Sequence, residues 1–115
     1  KAQFNLPVLQ GIEKNDSQAL RGQRVRRMQR MLHDLGSLAS GISEVDVSDL
    51  DNLKVRLMMK DQSFLLILGD SGFAARLQNF YNHYQEIHSR IPWATTLDLR
   101  LEDRITAIGE APSAR

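Results

Sequence analysis

The pattern of apolar and polar residues divides the chain into segments of two different periods. Between Thr95 and Arg100, Thr95, Leu97 and Leu99 alternate with Thr96, Asp98 and Arg100, the period-two signature of a half-buried strand, and Leu101 continues it. Glu102-Asp103-Arg104 predicts a turn, and Ile105-Thr106-Ala107-Ile108 a short return strand. Leu53 to Met59 alternates in the same way, with Leu53, Val55, Leu57 and Met59 inward and Lys54 and Arg56 outward. Ile42 to Ser48 carries Val45 and Val47 on one face, and Phe64 to Leu68 is a continuous apolar run suited to a central strand. Near the start, Phe4 to Leu9 is short and apolar, and Pro7 confines it to a strand start or a sheet edge.

Two stretches change to the helical period. Val25, Met28, Met31, Leu32 and Leu35 form one stripe in a predicted helix from Ser17 to Leu35, with Asp16 or Ser17 as N-cap and Gly36 as a left-handed C-cap. Phe73, Leu77, Phe80, Tyr81, Tyr84, Ile87 and Ile91 recur at three- and four-residue steps over a second helix, from about Gly72 to Ile91, which Pro92 ends. The links Asp49 to Asn52 and Lys60 to Ser63 are short and polar, so the three strands between the helices are expected to form an antiparallel meander. The predicted order is β-α-β-β-β-α-β-β. It implies an α+β fold, a mainly antiparallel sheet with two helices packed against it. Residues 1–110 form a single expected domain and residues 111–115 a flexible tail. Nothing in the chain follows the last strand to pair with it, so Ile105 and Thr106 are expected to offer backbone donors along an open edge.

Composition narrows the function classes. Fifteen Lys and Arg against fourteen Asp and Glu leave a net charge of +1, so no global field argues for nucleic acid. Cysteine is absent, which excludes a disulfide frame and thiolate metal ligation. No apolar run approaches the ~20 residues of a membrane span, no signal peptide is visible, and the chain opens at Lys1 without Met, as a fragment would.

Candidate chemistry is sparse. Gly69-Asp70-Ser71-Gly72 spells the tetrapeptide around a serine-protease nucleophile, but it joins a strand to a helix, where Asp70 or Ser71 serves better as an N-cap. His83 and His88 are five residues apart, off one helical face, and His33 lies far from both in sequence, so no metal site is expected. Arg21, Arg24, Arg26, Arg27 and Arg30 make the first helix the one basic cluster. It supports an alternative reading as a module that binds anionic polymer or a membrane surface, testable by replacing Arg24, Arg27 and Arg30 with Glu. Neither catalysis nor a cofactor is expected.

Three motifs in register carry a resemblance. Leu6-Pro7-Val8-Leu9-Gln10-Gly11, then Leu68-Gly69 followed by Arg76-Leu77 and Phe80, then Leu97-Asp98-Leu99-Arg100 are together similar to the membrane-distal β-domain of the FtsQ/DivIB family of bacterial cell division proteins. The likeness covers about residues 4 to 109.

The resemblance implies a non-enzymatic scaffold excised from a longer protein whose cytoplasmic tail, membrane helix and POTRA domain lie outside this chain. It further implies a place on the extracytoplasmic, periplasmic side of the inner membrane at the division septum. There the domain would recruit FtsB (DivIC) and FtsL-type partners by β-augmentation at its last strand, without nucleic acid. Carried over by position, the contact residues are Leu101, Asp103, Arg104, Ile105, Thr106, Ala107 and Ile108. Leu101 stands where the family usually has Tyr, and Arg104 replaces a turn Gly, so a wider turn is expected. A free edge also predicts weak self-association.

Overall fold

The computed structural model describes residues 7–109. Phe4 to Leu6 of the first expected strand and the expected tail, residues 111–115, lie outside the described residues. The described elements run β1 (Val8–Gln10), α1 (Gln18–Leu35), a 3₁₀ helix (Gly36–Gly41), β2 (Ile42–Asp46), β3 (Leu53–Met59), β4 (Gln62–Gly69), α2 (Phe73–Arg90), β5 (Thr96–Asp98) and β6 (Thr106–Ala107). The six strands form one sheet in sequence order.

The fold is α+β as the pattern predicts, but the sheet is mixed. β2, β3 and β4 form the expected antiparallel meander, and β5 and β6 are antiparallel. β1 and β2 are parallel, as are β4 and β5, because α1 and α2 each carry the chain back across the sheet between them. Consequently β1, β2, β4 and β5 share one direction, while β3 and β6 oppose them.

Both helices cover the same face. Met31 and Leu35 of α1 and Phe73, Leu77, Phe80 and Tyr84 of α2 are buried with Val45, Val55, Leu57, Phe64, Leu66, Leu68 and Leu97. Phe64 meets Phe80 and Tyr84 edge to face, with ring centroids 5.5 and 5.9 Å apart, the arrangement favoured by the ring quadrupoles. On the opposite face, Leu65 and Ile67 are half-buried among polar neighbours, so the sheet is covered by helices on one side.

Local endings differ from the sequence expectation in three places. Ser17 caps α1 as predicted, its Oγ accepting the Leu20 N–H at 3.1 Å. Gly36 takes a positive φ of 55° and returns its N–H to Leu32, but its ψ of −128° is outside the left-handed helical region. The chain therefore turns into the 3₁₀ helix rather than stopping, and Leu38 and Ala39 reach the core. At α2 the expected Asp70 or Ser71 cap is not made. Gly72 occupies the cap position in the left-handed conformation, and a side-chain cap needs an extended residue there. Between β3 and β4 the turn is tighter than expected: Lys60 and Asp61 both have positive φ, as a two-residue hairpin requires.

Candidate partner-binding edge

β5 ends three residues earlier than its alternation suggests. Leu97 and Leu99 are buried, yet Leu101 is 53% exposed. The break is local chemistry at Asp98. Its Oδ1 accepts the backbone N–H of Arg100 at 3.0 Å, an Asx turn, and also the Arg100 Nε at 2.9 Å, while Oδ2 accepts Nη2 at 2.7 Å. Hydrogen bonding from the Arg100 side chain holds the Asp98 carboxyl below the usual carboxylate range, against the opposing effect of burial. The same pair pushes the Arg100 guanidinium up. The chain then bows outward through Arg100–Arg104 before returning as β6, a wide turn as expected.

The orientation of β6 follows from its pairing. Ala107 lies opposite Leu97 and Thr106 opposite Asp98, and the Ile108 N–H donates to the Thr96 carbonyl at 2.9 Å. Backbone groups alternate sides along a strand, so Thr106 and Ile108 face β5, and Ile105 and Ala107 turn their N–H and C=O groups outward. The side chains alternate as well. Ile105 and Ala107 pack against the core, whereas Thr106 and Ile108 lie on the helix-free face, Ile108 being 47% exposed.

The sheet has a second edge at β1, and it is better protected. Val47 donates to the Gln10 carbonyl, so Gln10 faces β2, and alternation turns Leu9, Pro7 and Gly11 outward. Pro7 has no N–H to offer, and the Gly11 carbonyl already accepts Arg24 at 2.8 Å. Of the two edges, β6 keeps its outward groups free of such blocks among the described residues.

Beside β6 runs a groove of about 510 Å³ between α2 and the connection from β5. Asn79, His83, Glu86 and Arg90 form one stripe of α2 along it, and Glu102 to Arg104 face them. Ile87, Ile91 and Ile105 are its apolar residues. Glu86 pairs with Arg90 at 3.3 Å and Asp103 with Arg104 at 3.6 Å, so the groove presents both signs of charge. A smaller hollow between Leu101, Arg76 and Gly72 adjoins it, sharing Asn79 and Glu102.

The structure places the seven residues read from sequence along the connection from β5 and on β6, in different roles. Ile105 and Ala107 supply outward backbone groups, Thr106 and Ile108 hold the hairpin together, and Asp103 and Arg104 line the groove. Leu101 belongs to the adjoining hollow. Asp98, Arg100 and the α2 stripe went unselected. The i, i+2 spacing of Asp98 and Arg100 was the available signal for the first two, since an Asp can accept the N–H two residues on.

The other candidates are dispersed. Arg24 bonds Gly11, Asp16 and Ser48, Arg27 bonds the Leu50 and Asp70 carbonyls, and Arg21 bonds the Lys14 carbonyl at 2.6 Å. Three of the five arginines of α1 are therefore spent on loops, while Arg26 and Arg30 remain exposed. His83 meets the Asn79 carbonyl at 2.9 Å, and His88 stacks on Tyr84. Among the described residues no group of three or more His, Cys, Asp or Glu could hold a metal, and no helix is long and apolar enough to cross a membrane.

Comparison with known proteins identifies the family. The family model for the cell division protein FtsQ/DivIB C-terminal region matches residues 1–100, ending just before the outward bow that leads to β6. The FtsQ cell division protein of Koribacter versatilis (strain Ellin345) is 29% identical over 106 residues, covering 89% of this chain. The chain spans 30% of the length of that relative. It belongs to the FtsQ/DivIB family of cell division proteins, as a C-terminal domain of that kind.

Proposed function

We propose that this domain is a non-enzymatic scaffold of the division machinery that recruits FtsB (DivIC) and FtsL-type partners by accepting a partner strand on β6. The full-length protein would be anchored by a segment outside this chain and would present the domain on the periplasmic side of the inner membrane. The observation that carries the reading is the parity of β6. Its Ile108 N–H is committed to Thr96, which leaves the groups of Ile105 and Ala107 facing away from the sheet. Main-chain bonds there would supply affinity, and the groove along α2 would read side chains of the partner.

The test is a calorimetric titration of the domain with a peptide from the extracytoplasmic part of an FtsB-type protein. Heat of binding is expected for the parent and not for Ala107→Pro, which deletes an outward donor. Equal binding by both would remove β6 as the site. Of the five α1 arginines, Arg26 and Arg30 remain exposed without a loop partner for the alternative reading of an anionic polymer or membrane surface.

A further inference from the structure

We infer that Asp98 is a positioning residue for the edge: through Arg100 it turns the Arg100–Arg104 connection out of the sheet and beside α2, and so fixes where β6 pairs. The inference rests on β6 being the partner edge for its functional meaning, though its geometry stands independently.

The apolar pattern alone would let β5 run on, because Leu97, Leu99 and Leu101 share one parity. Instead the last backbone bond to β4 comes from the Leu99 N–H, which donates to Ile67, and Leu101 emerges into solvent. The three bonds from Arg100 to the Asp98 carboxylate lie at that departure point. One carboxylate thereby satisfies a backbone N–H and both arms of a guanidinium fork, the geometry that makes an Arg–carboxylate pair directional.

The clasp is seated on the neighbouring elements. Gly69, at the end of β4, has φ +82°, and a Cβ placed on it would stand 2.7 Å from Arg76 Nη1 and 3.2 Å from Arg100 Cγ. The bare glycine is what lets both arginine side chains pass this corner. Arg76, from the first turns of α2, donates to the Leu68 carbonyl, and its charge also acts on Asp98. Asp98 itself sits between β4 and β6, opposite Ile67 on one side and Thr106 on the other. The end of β4, the start of α2 and the exit of β5 are thus tied at one point, one residue pair away from β6. From that point the chain can reach the groove wall at Glu102 and Asp103 and still return Ile108 to Thr96.

The experiment is amide exchange by NMR on the chain, comparing Asp98→Ala and Asp98→Asn with the parent. Asn keeps the acceptor for the Arg100 N–H, while Ala keeps nothing. In Asp98→Ala the Ile108 amide is expected to exchange about tenfold faster or more, and in Asp98→Asn by less, the loss expected for a charge-assisted bond. The Val47 amide, bonded to Gln10 across the sheet, is the control and should not change. Unchanged Ile108 exchange in both variants overturns the inference, as does equal acceleration at Val47, which would mean a general loss of stability. Titration with the FtsB-type peptide separates the two readings. Faster Ile108 exchange with undiminished binding supports the clasp and removes β6 as the partner edge. Unchanged exchange with weakened binding overturns the clasp and marks Asp98 or Arg100 as a direct partner contact.

Discussion

The backbone N–H of Ile108 donates to the carbonyl of Thr96 at 2.9 Å, and the parity of the last strand follows from that bond. It makes two adjacent residues unequal. Thr106 faces β5 and Ala107 faces away, although both read as edge residues in the sequence. Thr106→Pro should therefore weaken the hairpin itself by about 1 kcal/mol or more, through loss of a ladder bond. Ala107→Pro should leave the thermal midpoint near that of the parent, because an outward N–H on an edge strand is dispensable for folding. Thermal unfolding of the two variants checks the order.

Gly69→Ala should be costly. Its φ of +82° disfavours any L side chain, and the added methyl would meet Arg76 and Arg100 in the space they share. A loss of about 2 kcal/mol is expected, measured by urea unfolding. Gly22→Ala, within α1, should act in the opposite sense. There the new methyl meets only the movable end of Arg26, and replacing a helical glycine stabilises by about 0.5–1 kcal/mol.

Arg24 is a strut rather than a ligand-binding group. Its guanidinium joins the end of β1 at Gly11 to Asp16 and to Ser48 beyond β2, with 14% of the side chain exposed. Arg24→Met keeps the aliphatic stem and strands these acceptors, so stability should fall by about 2 kcal/mol. Arg26→Met, from the exposed side of the same helix, should change stability by less than about 0.5 kcal/mol. Chemical denaturation of the pair distinguishes strut from surface.

Acid should reveal the Asp98 carboxylate. Its folded pKa is lowered, chiefly by Arg100, so the folded state favours the charged form. That contribution is complete above the unfolded carboxylate value of about 3.9 and disappears as pH falls through the lower folded value. The stability difference between the parent and Asp98→Asn should therefore be constant above about pH 5 and shrink below about pH 4. Unfolding curves recorded across that range provide the check.

The periodicities were sufficient for the layers. Phe73, Leu77, Phe80 and Tyr84 recur as a helix must to meet a sheet, and all four are buried. Leu53, Val55 and Leu57 alternate and are buried likewise. What the pattern could not carry was strand direction and the exact exits. The parallel pairs arise because each helix returns the chain to the same end of the sheet, and hydrophobic period is blind to that. Leu101 shows the second failure: its parity matches Leu97 and Leu99, but the polar clasp between Asp98 and Arg100 just before it overrides parity. Part of the edge was legible, since Ile105 to Ile108 read as a terminal strand. Its facing was not, because only a pairing partner decides which backbone groups remain outward.

The most direct measurement of partner-strand addition is amide exchange of the domain with and without a saturating FtsB-type peptide. Protection should appear at Ile105 and Ala107, whose N–H groups face outward, while Ile108, already bonded to Thr96, changes little. Protection confined to other elements, such as Leu9 on the β1 edge, or none at Ile105 and Ala107 while the peptide is bound, would contradict the account.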